Sequence, residues 1–157
     1  MTFLLLTGSS DFRILSLFLF GFVRSLNLIE MLYRNTFPKA EHLCGKTSVD
    51  KLFTEGKSFL SYPLRIVFCL SDKTDVPVRC LMAAPKRRFK HAVDRNRLKR
   101  QLRESYRLNK GVLLSAVEGK DYQLLVAFNY IGDKVESTAF VERKMRVALE
   151  KLAAKLP

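Results

Sequence analysis

Two histidines and three cysteines are all that 157 residues offer to a soft metal or a thiol catalyst. Cys44, Cys69 and Cys80 have no CxxC spacing, and an odd number cannot all pair with one another. A structural zinc would need more ligands at close spacing than His42 and His91 can add, so none is expected. The three thiols read instead as small buried side chains, reduced, in a cytoplasmic protein. Carboxylates are scarce as well, with 15 Asp plus Glu against 28 Lys plus Arg. Asp72, Asp75, Asp94, Glu104 and Asp121 are dispersed along the chain. Hydrolysis by the protein alone would need clustered carboxylates for metals, or a histidine beside a second acid–base group. A self-sufficient nuclease is therefore disfavoured, and no catalytic or metal-ligating residue is assigned.

Long apolar runs are missing too. The densest is the ten-residue stretch 14–23, bounded by Arg13 and Arg24. A helix needs roughly twenty apolar residues to cross a bilayer. A signal peptide would carry positive charge ahead of its apolar part, and residues 1–10 have none. Residues 1–30 are expected to lie outside the fold, as an extension or a start assigned too early, with the domain at 31–157 opening on Met31. A membrane-tethering segment is the rival reading. No internal repeat and no low-complexity linker interrupts the remainder.

What the chain has in excess is positive charge. The formal net charge is +13 and 48% of residues are hydrophobic, enough for a packed core and against disorder. Such a balance points to a polyanion, a nucleic acid or an anionic membrane surface. Between Lys86 and Lys110 lie eleven basic residues, opposed only by Asp94 and Glu104, so a local +9 sits in one window. Charge focused in this way marks a binding element more than a solubility coat.

The apolar periodicity places that window on a helix. Thr47 or Ser48 is read as capping a short helix through Val49, Leu52 and Phe53, ended by Gly56. Strands are expected at Leu64–Leu70 and Val76–Ala84, the second marked as an edge or a strand start by Pro77. A polar turn at Ser71–Asp75 separates them. A basic loop, Lys86–His91, leads into a helix over Ala92–Asn109 that Gly111 stops. Tyr122–Tyr130 reads as a strand, and Ser137 or Thr138 as the cap of a last helix reaching about Leu156, with Val141, Met145, Ala148 and Leu152 inward. The order α-β-β-α-β-α, with room for one more strand, makes a small α+β sandwich of helices on one sheet.

On the long helix, at about 100° per residue, Leu98, Leu102, Ser105, Tyr106 and Asn109 share the side that rests on the sheet. Asn96, Lys99, Arg100, Arg103, Arg107 and Lys110 gather on a neighbouring sector. Arg95 borders the core, and Arg97 points further round. Like charges one turn apart repel, so the compensating anion is expected from a partner. The planar guanidinium fork suits phosphate, and Asn96 suits a base edge, a sugar hydroxyl or support of the helix start. A membrane-surface helix would place apolar residues opposite the charge with no sheet beneath. A helix-turn-helix DNA reader would need a short partner helix before this one.

The run Lys86-Arg87, then Ala92-Val93-Asp94-Arg95-Asn96-Arg97-Leu98-Lys99-Arg100, then Arg103-Glu104 and Tyr106-Arg107, resembles the signature of the bacterial ribonuclease P protein subunit. That family carries Arg-Asn-Arg, an apolar residue, Lys-Arg and, a little later, Arg-Glu. The resemblance spans roughly His42 to Leu156 and leaves residues 1–30 uncovered. A ribosomal RNA-binding protein would share the charge and size without this spacing.

The resemblance implies a subunit that pairs with a large catalytic RNA and helps remove the 5′ leader of precursor tRNA. The holoenzyme is an endoribonuclease whose chemistry is carried by the RNA with bound magnesium. Neither a membrane nor an obligatory protein partner is expected. The implied fold has a left-handed βαβ crossover, against the usual right-handed rule. Arg95, Asn96, Arg97, Lys99, Arg100 and Arg103 would face the catalytic RNA or hold the helix for it. Lys86, Arg87, Arg88, Lys90 and Arg107 complete the basic set, with Lys86 and Arg87 near the leader path. A cleft between the first helix and the sheet would take the leader. Phe53 matches the family's aromatic there, and Val49 stands where another aromatic is often found. Ile66 and Phe68 are assigned to the cleft floor, where bases could stack without being read, although both also suit a core. Lys90-His91 stands where many members have small residues, which makes this loop bulkier.

Overall fold

Four short extended segments, two of them rich in β-branched and aromatic residues, pair into one mixed sheet in the computed structural model, which describes residues 35–157. The strands are β1 (Lys57–Ser61), β2 (Leu64–Asp72), β3 (Val78–Ala83) and β4 (Tyr122–Tyr130). Their spatial order is β1-β2-β4-β3. β2 is antiparallel to both β1 and β4, and β3 runs parallel to β4. The helices are α1 (Lys46–Glu55), α2 (Ala92–Asn109), α3 (Gly111–Val117) and α4 (Thr138–Ala153), with a 3₁₀ turn at Lys39–Glu41. The expectations for residues 1–30, the apolar run at 14–23 and the start at Met31 lie outside the described residues. Thr36–Pro157 forms one compact unit.

β2 and β4 are central and buried on both faces, which is why they read as continuous apolar runs. Leu64, Ile66, Phe68, Leu124, Val126 and Phe128 face α2, α3 and α4 in the larger core. Val67, Cys69, Leu125 and Ala127 face the other way, under Leu52 of α1 and Leu43. β3 and β4 are joined through α2 and α3, the connection for which the family resemblance implies a left-handed crossing.

α2 and β4 have the boundaries their periodicity predicts. β3 starts directly after Pro77 and is an edge strand, where a missing N–H is tolerated. Ser137 caps α4, its Oγ accepting from the Phe140 N–H at 3.3 Å. The further strand is β1, and β2 extends through Ser71 and Asp72, which were read as turn. Cys69 and Cys80 are buried thiols, whereas Cys44 is exposed. No helix among the described residues is long and apolar enough to cross a membrane.

Gly56 ends α1 as expected, whereas the cap of α1 and the end of the basic helix differ from expectation. α1 begins at Lys46 after Gly45, whose φ of 97° opens the helix without a side-chain cap from Thr47 or Ser48. Gly111 does not stop helical structure. Lys110 stays right-handed at φ −63°, ψ −19°, and α3 follows. The left-handed break comes at Gly119, φ 73°. Gly56 ends α1 by close approach. A Cβ there would meet the Leu52 carbonyl oxygen and sit 2.9 Å from Val67 Cγ1. Gly56→Ala is expected to destabilise the fold by about 1–3 kcal/mol or more, read as a lower urea midpoint at unchanged m-value.

Candidate nucleic-acid interface

The basic window divides into side chains with internal work and side chains without it. Arg95 Nη1 donates to the carbonyl oxygens of Phe89 at 2.8 Å and Lys90 at 2.7 Å. It therefore ties the basic loop to the first turn of α2, while buried Phe89 packs near Tyr130 in the core. Arg88 pairs with Asp133 at 2.7 Å. Arg107 holds Glu104 through Nε at 2.9 Å and Nη2 at 2.6 Å, and this contact draws the Glu104 carboxyl below its ordinary pKa.

Lys86, Arg87, Lys90, Asn96, Arg97, Arg100 and Arg103 are exposed, and Lys99 is half-buried. Arg97, Lys99, Arg100 and Arg103 meet no carboxylate in an ion pair among the described residues. Four cations within two helical turns, none of them held by a carboxylate among the described residues, make a surface complementary to phosphates. Tertiary packing splits them. Arg97 and Arg100 line a recess with Val93, Asn96, Gln101 and Thr138, where α2 meets α4. Lys99 and Arg103 fall on the opposite flank of the helix, toward the side of Tyr106.

Lys110 leaves the sector assigned to it. Its side chain is 2% exposed and its Nζ lies 2.6 Å from Glu41 Oε1 in the 3₁₀ turn, itself 17% exposed. Phe37 stacks on His42 and meets Tyr106 edge-on, and the Leu43 N–H donates to the Cys80 carbonyl at 2.9 Å. Burial pushes the Cys80 thiol and the Tyr106 hydroxyl up, so both stay protonated. This neutral pocket around one ion pair straps the segment before α1 onto the end of α2.

The cleft beside α1 has a different floor from the one assigned. Ile66 and Phe68 lie in the larger core, on the face opposite α1. Strand side chains alternate, so the α1 face of β2 carries Arg65, Val67, Cys69 and Ser71. The chain passes β3 at Leu43 and reaches Val67 of β2 at Gly56, so α1 crosses the strands. On one flank of α1, Lys51 Nζ donates to Ser71 Oγ at 3.2 Å, near the end of β2. Val49 and Phe53 fall on the other flank by helical geometry and lean toward the start of β2. Phe53 is 50% exposed, and Val49 packs partly against the smaller core.

Beyond that flank a row crosses the sheet in register, Leu60–Arg65–Asn129–Ala83, one residue per strand. Leu60 and Arg65 are exposed, Asn129 and Ala83 half-buried, while Val67 and Ala127 in the next row are covered. The row ends at Ala83, three residues before Lys86. Sequence alone does not single out Arg65 and Asn129, because a strand buried on both faces hides which alternate set the helix covers, nor Leu60, because its strand β1 has no apolar run to mark it.

A family profile described as Ribonuclease P matches residues 37–153. The Ribonuclease P protein component of Porphyromonas gingivalis is 37% identical over 120 residues, 76% of this chain and 88% of that one. That of Chlorobaculum tepidum is 38% identical over 104 residues, 61% of this chain and 68% of that one. Among solved structures, the RNase P protein from Thermotoga maritima matches with a TM-score of 0.52 and 25% identity, over 71% of this chain and 96% of that one. The Staphylococcus aureus RNase P protein shares the fold, with a TM-score of 0.56 and 18% identity over 73% of this chain and 96% of that one. The signature on α2, the matched profile and these relatives agree: the chain belongs to the ribonuclease P protein family, the protein component of an endoribonuclease that processes the 5′ end of tRNA.

Proposed function

We propose that α2 docks this chain on the catalytic RNA of ribonuclease P while the cleft beside α1 holds the single-stranded 5′ leader of precursor tRNA. The observation that carries this reading is the group Arg97, Lys99, Arg100 and Arg103, cationic, accessible and in no ion pair among the described residues. Phosphate contacts of this kind give affinity and register, not sequence preference. In the cleft, the Phe53 ring offers a stacking surface, Arg65 and Lys86-Arg87 offer phosphate contacts, and Asn129 offers a hydrogen bond to a base or sugar. Arg95 acts as a positioning residue for the loop that carries Lys86, Arg87 and Lys90.

Magnesium belongs with the RNA in this reading. Among the described residues no three His, Cys, Asp or Glu converge to hold a metal ion. Of the acids near the basic surface, Glu104 and Asp133 are engaged by Arg107 and Arg88, and Asp94 stands apart from them on the first turn of α2. The protein's part is to bind and orient the substrate beside the RNA, in the cytoplasm.

Reconstitution tests the proposal. Adding the chain to the organism's own catalytic RNA should restore 5′ leader removal at magnesium concentrations too low for the RNA alone. No stimulation would reject it. Phe53→Ala should weaken precursor tRNA binding about fivefold or more, at the lower end of one lost base stack, and leave mature tRNA binding unchanged. Equal losses for both substrates would remove Phe53 from the leader cleft.

A further inference from the structure

The recess between α2 and α4 has features that a phosphate-binding surface does not require. Its volume is about 400 Å³, within the roughly 300–1,000 Å³ typical of small-ligand pockets. Val93, on the first turn of α2, is 77% exposed and lines it. The aliphatic stems of Arg97 and Arg100 add apolar wall beneath their charged ends. Gln101 is 6% exposed and lines the same recess. Its Nε2 donates to the Glu136 carbonyl and to Thr138 Oγ1, both at 3.1 Å. Its Oε1 has no hydrogen-bond partner among the described residues. A buried acceptor without a donor is costly, and a donor from a bound group recovers that cost. Thr138 opens α4, so the recess also meets the positive end of a sixteen-residue helix.

We propose that this recess receives one unpaired nucleotide of the catalytic RNA. Val93 and the arginine stems would cover the base or ribose. The guanidinium groups of Arg97 and Arg100 would hold the flanking phosphates, and Gln101 Oε1 would accept from the 2′-hydroxyl or an exocyclic amine. Extruded nucleotides, unlike helical backbone, offer these three chemistries together. The inference rests on the docking role proposed for α2 but is separable from it, because Val93 carries no charge.

The test measures binding to the organism's catalytic RNA, transcribed in vitro, over a salt series. Val93→Ala should weaken binding roughly tenfold, from about two buried carbon groups lost, with the slope of log K against log salt unchanged. Arg97→Ala with Arg100→Ala should instead flatten that slope by about 1.4–1.8. In wild-type complexes one unpaired nucleotide should lose reactivity to 2′-hydroxyl acylation, and it should regain it with saturating Val93→Ala protein. Val93 is solvent-facing, so the variant should fold as wild type by circular dichroism. Wild-type affinity and protection in Val93→Ala, beside a flattened slope in the arginine variant, would discard the recess and keep the dock. An unchanged slope in the arginine variant would discard both.

Discussion

Replacing Arg97, Lys99, Arg100 and Arg103 together by alanine is expected to lower affinity for the catalytic RNA roughly a thousandfold at 0.1 M salt. Each neutralised phosphate contributes a slope of about 0.9 in log K against log salt for duplex and 0.7 for single strands. Four lost contacts thus remove about three log units over the decade between 0.1 and 1 M salt. The two proteins should converge near 1 M, where counterion release no longer favours binding. A constant ratio across the salt series would mean that these side chains act by something other than charge. Stability should hardly change, since none of the four is in an ion pair among the described residues and removing like charges relieves mild repulsion. Arg107→Ala provides the contrast. Its guanidinium already serves Glu104, so its loss should cost little affinity.

Lys110→Ala is expected to be the most damaging single change to the fold. It would leave Glu41 facing a buried space with no counter-charge, and Glu41 Oε2 already lacks a partner among the described residues. Breaking a buried pair from one side costs about 3–5 kcal/mol. For a domain of this size that is a fall of roughly 10–20 °C in Tm. The double replacement Lys110→Met with Glu41→Leu should recover most of the loss, because apolar residues of similar volume need no compensation there. A single-variant loss below about 1 kcal/mol would show that water reaches the pair. RNA affinity per folded molecule should stay near wild type, since Lys110 has no exposed surface to offer a phosphate.

These two experiments separate the parts of the molecule that were readable along the chain from those that were not. The basic helix was readable because everything that defines it is local. Its charges follow one another within 25 residues, its apolar residues repeat with the helical period, and its ends fall where that pattern ends. The spaced Arg-Asn-Arg signature is local for the same reason. β4 was readable by length and apolar continuity, and Pro77 correctly marked an edge because a missing N–H acts at its own position.

Lys110 shows where such reading stops. On a helical projection it belongs with Arg103 and Arg107, but its partner Glu41 lies 69 residues away. Ile66 and Phe68 are the same case in a strand. Both are apolar and fit a cleft floor, yet only pairing with β4 and the docking of α1 decide that Arg65 and Val67 face the helix while Ile66 and Phe68 face the core. A one-residue choice moves every side chain to the other face, and local preference is nearly silent on it. The recess between α2 and α4 likewise exists only once two distant helices touch. Composition and periodicity therefore decided that this chain builds a basic helix on a sheet and meets a polyanion, and the spaced signature, through the family it resembles, narrowed that polyanion to RNA. Long-range packing decided which cations remain available, which strand face forms the cleft and what the helix shares with its neighbour, because those outcomes depend on contacts between segments far apart in the chain.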